Sequence, residues 1–201
     1  MALKFANNNS LSAITSTPSG VGGGALNLIS TQTASSSSTI SFTSGIDSTY
    51  KEYIVKFFDV HPATDDANFS FNMSIDSGSN YNVTKTSSFF RLYHQEDDSQ
   101  SGVSYYTGGD RAQSTGTQLL SYGCGNDNDQ CTTGFLHLFN PSSTTFVKHF
   151  IARTNTYEST NNSWGGFAAG YANTTSAIDA VQFQMATGNI DAGTITLYGI
   201  N

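Results

Sequence analysis

Charge is what this chain has least of: only 11% of its 201 residues are Asp, Glu, Lys or Arg, and proline (3), cysteine (2) and tryptophan (1) are scarcer still. With 8 basic against 15 acidic residues the formal net charge is −7, which argues against a domain built to neutralise many nucleic-acid phosphates. No wholly apolar run approaches the roughly 20 residues that a membrane-crossing helix needs. The opening residues, Met1 to Asn9, lack the apolar core of about 7 to 15 residues that marks a secretory signal. The expectation is a soluble product made in a cytoplasm, unless an upstream segment preceded this numbering.

Ser, Thr, Asn and 19 Gly fill the chain instead, with 14 Phe and 10 Tyr among them. Hydroxyl and amide side chains compete with helical backbone bonds, whereas Thr and aromatic residues suit pleated surfaces, so the expected class is all-β. Residues 1–24 end in Ser19-Gly20-Val21-Gly22-Gly23-Gly24, too glycine-rich for a strand interior, and read as an N-terminal arm before one domain over 25–201. Leu3, Phe5, Leu11 and Ile14 would let that arm dock on a neighbour; the plainer reading is a loose terminus.

From residue 25 the period is two. Asn68 to Ile75 alternates without error and predicts a half-buried strand with Phe69, Phe71, Met73 and Ile75 on one face. Similar signals at 26–33, 39–43, 89–94, 177–185 and 193–200, separated by Gly, Asn, Asp and Ser, predict an antiparallel, jelly-roll-like β-sandwich. Three segments are apolar on both faces: 53–60, 135–139 and 146–151. A strand of that kind needs cover on both sides. The last two flank Asn140-Pro141-Ser142-Ser143, a turn start, and a hairpin with Phe139 opposite Phe146 would place Phe135, His137, Lys148 and Phe150 on one face. One face would line the core, and the other would meet an arm, a loop or another subunit, with oligomerisation the favoured reading.

Little chemistry is nominated. Cys124 and Cys131 enclose a short turn-rich loop, so a disulfide is geometrically open, while a reducing compartment favours free thiols. The acids cluster in turn-like stretches, Asp65-Asp66, Glu96-Asp97-Asp98 and Asp127-Asn128-Asp129, and read as solvated tips; calcium at 126–129 is the weaker alternative, because the later Gly and Glu of an EF-hand loop are missing. No other metal and no cofactor is expected. His61, His94, His137 and His149 share no ligand spacing; His137 and His149 read as packed strand residues, and His61 as closing a turn before Pro62. Neither a nucleophile elbow nor a phosphate loop occurs, so no catalytic residue is expected. Tyr105, Tyr106, Tyr157 and Trp164 fall in or near predicted loops, where a ring could stack on a sugar or a protein; for Trp164 the favoured reading is a place in the core beneath a loop.

Three stretches resemble small β-rich structural proteins of tailed bacteriophages, particularly those of marine bacteria and cyanobacteria: Ser48 to Pro62 (STYKEYIVKFFDVHP), Leu136 to Ser142 (LHLFNPS) and Gly188 to Ile200 (GNIDAGTITLYGI). The resemblance implies a non-enzymatic virion protein of the tail-fibre, tail-tip or head-fibre kind, often a homotrimer. Other virion proteins would be reached through the arm, and exposed loops would touch a host-surface glycan. A capsid decoration protein and a free carbohydrate-binding module are the alternatives.

Overall fold

Alternation of large apolar with small polar side chains decides which surface of each strand turns inward. In the computed structural model, which describes residues 25–201, thirteen strands form. They are β1 (Leu26–Thr33), β2 (Ile40–Phe42), β3 (Glu52–Pro62), β4 (Ala67–Ser74), β5 (Lys85–Gln95), β6 (Ser101–Tyr105), β7 (Arg111–Ser114), β8 (Gln118–Cys124), β9 (Thr132–Phe139), β10 (Lys148–Glu158), β11 (Asn162–Ala172), β12 (Ala180–Met185) and β13 (Ile190–Ile200). Among the described residues there is no α-helix, only one 3-10 turn at Thr107–Gly109. The expected all-β, antiparallel sandwich is what the chain forms. The expected arm at 1–24 lies outside the described residues.

Every pairing is antiparallel. A large sheet runs β1-β13-β3-β9-β10-β11-β5, with β6 and β7 both paired along the far edge of β5; a small sheet runs β8-β4-β12-β2. One pair, Glu158 with Cys124, joins them at a corner. The chain changes sheet at most connections, so neighbours in sequence face each other across the core.

Aromatic edges fill that core. Phe57 of the large sheet meets Phe69 and Phe183 of the small one at ring distances of 5.3 and 5.2 Å, and Phe150 meets Phe71 at 5.2 Å. All five rings are at most 1% exposed. Near the corner the hydroxyls of Ser121 (β8), Thr132 (β9) and Thr156 (β10) bond one another at 2.6 to 3.1 Å, which satisfies three buried polar groups at once.

Four expectations need correction. The β9–β10 hairpin pairs Leu138 with Phe150, not Phe139 with Phe146, because Asn140 adopts φ +45° before the Pro141 turn and the chain to Val147 stays outside the ladder. Leu136, Leu138, Lys148 and Phe150 therefore point inward, and Phe135, His137, His149 and Ile151 outward. Phe146 sits in the loop, 70% exposed. Ile75 lies just past β4 and is exposed, unlike Phe69, Phe71 and Met73. The glycine-rich stretch around Trp164 is a full strand, β11: a Cβ at Gly166 would lie 2.7 Å from the Leu120 carbonyl oxygen, and one at Gly170 2.5 Å from that of Thr86. Glycine there marks close approach and does not break the strand.

Candidate functional site

The register of the large sheet brings its outward side chains into rows. Arg153 (β10), Phe167 (β11), Phe90 (β5) and Tyr105 (β6) stand side by side. The Phe90 and Phe167 rings stack in parallel, 4.6 Å apart and 2° from coplanar, and the Arg153 guanidinium lies 5.1 Å from the Phe167 centroid on the β10 side. Both faces of Phe167 are thus taken, and what reaches outward is a ridge of ring edges. Leu92 and Val103 pair beside it. Val103 is 72% exposed, Tyr105 61%, Ile151 50% and Phe90 43%.

The ridge is flanked by two hollows. One, of about 630 Å³, lies over Ser88, Ala169, Ile151, His149 and Tyr171; the other, of about 240 Å³, lies over Gly165, Leu92, Phe135, Arg153 and Asn155. Both arise from small outward residues adjoining large ones: on β11 the sequence Gly165, Phe167, Ala169 reads dip, bump, dip. No outward position of β5, β6, β9, β10 or β11 carries a carboxylate. Acids stand at its margins: Asp110 accepts from Tyr105, Asp98 lies 3.0 Å from His94, Glu96 shares a hollow with Asn155 and Tyr157, and Glu52 of β3 is bonded to His137 Nδ1. The middle of the face is apolar, with Arg153 its one strong charge.

The sequence-nominated aromatics divide between the two surfaces of this sheet. Tyr105, expected in a loop, is in β6 on the outer face, and its hydroxyl donates to Asp110 at 2.6 Å. Tyr106 and Trp164 lie on the inner side around Arg91, whose guanidinium is 4.7 and 4.0 Å from their centroids; Tyr122 stacks on Trp164 at 5.0 Å. Trp164, 8% exposed and in mid-strand, therefore packs in the interior and offers no free platform for a sugar. Tyr157 is in β10, also not a loop, and its hydroxyl bonds Asn161 at 3.3 Å.

At the acidic end, His61 Nδ1 lies 3.9 Å from the Asp191 carboxylate. Asp59, His61, Asp129, Cys131 and Asp191 line a hollow of about 500 Å³. His61 lies within β3, not in a turn, and its Nε2 is 3.2 Å from the Asp127 carbonyl oxygen. Cys124 and Cys131 are free thiols. Burial pushes Cys124 up to about 11. Burial and then the charges of Asp59 and Asp129 raise Cys131, so both stay protonated at neutral pH. Burial, Glu158 and Asp65 also raise Asp66, while the buried Glu158 accepts bonds from Thr160 and Asn162. Among the described residues no three His, Cys, Asp or Glu side chains converge to hold a metal, the 126–129 loop included. His149, expected to be packed, is exposed beside Tyr171. No helix among the described residues is long and apolar enough to cross a membrane.

Sequence reading missed Arg153, Phe167 and both hollows. Adjacent Phe89 and Phe90, which put a ring on each face of β5, were the available signal. The chain matches no family model, no curated protein and no solved structure.

Proposed function

We propose that the protein is a non-enzymatic structural module of a bacteriophage particle, of the tail-fibre, tail-tip or host-contacting kind, and that it works by packing against copies of itself. The single observation that carries the assembly is the outer face of the large sheet, where phenyl, isobutyl and isopropyl groups stand in water on a sandwich surface that alternation normally makes polar. The placement in a particle rests on the resemblance of the segments 48–62, 136–142 and 188–200 to phage structural proteins. Residues 1–24 would attach the module to other virion proteins. Thiols held protonated support a role without catalysis. The covered Trp164 ring counts against a free carbohydrate-binding module.

The test is the molar mass of the full chain by size-exclusion chromatography with light scattering at micromolar concentration. A mass of a small whole number of chains is expected, three being the number that the resemblance implies. A monomer across the whole concentration range overturns the reading.

A further inference from the structure

The relief of the outer face says how copies would fit. Along β11 the outward positions run Gly165, Phe167, Ala169, and along β5 Ser88 lies beside Phe90, in register with Ala169. Bump and dip are one side-chain repeat apart, roughly 7 Å along the strands, so a second face displaced by that step meets bumps with dips. We infer that a second copy of this chain covers this face, its Phe90–Phe167 ridge entering the neighbour's hollow over Ser88, Ala169 and Ile151; this rests on the assembly reading above and adds the geometry to it.

Three further observations favour a sister copy as the occupant. Charge is the first: a chain of net −7 repels itself at most approaches, and these five strands present no outward carboxylate, the acids Asp110, Asp98 and Glu96 standing at the rim of the face. Area is the second. Large side chains bury about 150 to 250 Å² each, so the fractions exposed here leave on the order of 500 Å² of apolar surface in water. That is near the top of the ~300 to 600 Å² of a monomer's largest patch, and most of the ~800 Å² each partner contributes to a stable interface. The third is the edge: β6 reads Ser-Gly-Val-Ser-Tyr, with no charge and no proline, so that its shortness is its one guard against a neighbour.

The experiment measures the self-dissociation constant by sedimentation for the full chain and four variants, with thermal unfolding as a check on the fold. Ala169→Tyr fills the dip, Phe90→Lys removes the bump, and Val103→Lys charges an edge position 72% exposed, where folding is least at risk. Ile75→Lys, an exposed apolar site on the small-sheet side, is the control. Each of the first three is expected to weaken association at least tenfold, and Ile75→Lys to leave it unchanged. An oligomer that Ala169→Tyr, Phe90→Lys and Val103→Lys all leave intact overturns the ridge-in-hollow contact but not assembly itself. A wild-type chain that is monomeric throughout overturns both.

Discussion

The two sheets share one interior and turn opposite kinds of surface outward. On the small sheet Ser41, Asn72, Gln182 and Gln184 point away from the core, and the chain's own loops cover part of this side. Asn72 is only 4% exposed, and its amide donates to the carbonyls of Tyr81 and Thr115 at 2.6 and 3.0 Å. On the large sheet the corresponding positions are Phe90, Leu92, Phe167 and Ile151, and Phe90, Leu92 and Ile151 are exposed. Asn72 lies under intrachain cover with its amide partnered, while apolar groups that need no partner stand bare. The difference teaches what each surface asks of a cover: a buried amide needs a fixed acceptor, and a phenyl ring needs only exclusion of water.

The largest blow removes what both faces depend on. Phe183 touches the rings of Phe42, Phe57, Phe69 and Phe71, so Phe183→Ala should cost about 3 to 5 kcal/mol in urea unfolding. A loss below about 1 kcal/mol would mean that the sheets do not share one packed interior. Next comes the small sheet alone. Asn72→Leu leaves the Tyr81 and Thr115 carbonyls without their donor and should cost about 1 to 3 kcal/mol. An unchanged midpoint would show that those bonds are replaced by water.

Strand β5 holds the contrast within itself, with a cation inside and a phenyl ring outside. Lys85 is fully buried and donates to the Gly116 carbonyl at 2.7 Å; burial, then Arg111, lowers it to about 8. The unfolded chain keeps that proton up to its ordinary value near 10.5. Between pH 8 and 9 the unfolded state therefore binds more protons at this site, and Lys85 should contribute a rise in stability of about 1 kcal/mol. Cys124, held up to about 11, and Cys131, also raised, work in the opposite direction as the pH climbs through 9, so the Lys85 contribution is read as the wild type minus Lys85→Met. Equilibrium unfolding from pH 8 to 9 should show the wild type gaining on Lys85→Met. Parallel pH profiles for the two would contradict the burial of a charged amine. The smallest effect is expected outside, on the neighbouring β6: Val103→Thr, at a position 72% exposed, should change the stability of the isolated monomer by less than about 0.5 kcal/mol, measured at a concentration below that of association. A cost several times larger would place Val103 in the fold's own core.

Much of this architecture was legible in the residues. Alternation over 68–75 matches β4, and the two-faced apolar pattern of 53–60 matches β3, where Tyr53, Val55 and Phe57 face the core, Ile54 points away from it under the chain's own cover at 6% exposure, and Phe58 is 43% exposed. The hairpin register was not legible, because the left-handed turn at Asn140 and the chain to Val147 hold Phe146 out of a ladder that its side chain would have suited. Strand β11 was hidden for the opposite reason. Its glycines resemble a loop, and only the close approach of Leu92, Leu120, Thr154 and Phe89 shows why side chains are missing there. With β11 unseen, Trp164 read as a loop residue, and the ridge lost Phe167, its central member.

Hydroxyl-radical footprinting of the full chain at micromolar concentration tests the central claim most directly, since it reports the water contact of individual side chains. Phe146, 70% exposed in its loop, is the internal standard. If copies cover the outer face, Tyr105 and Phe90 will label several-fold more slowly than Phe146 and will recover on dilution or in Ala169→Tyr. Labelling of Tyr105 and Phe90 in proportion to their 61% and 43% exposure, at every concentration, would contradict it.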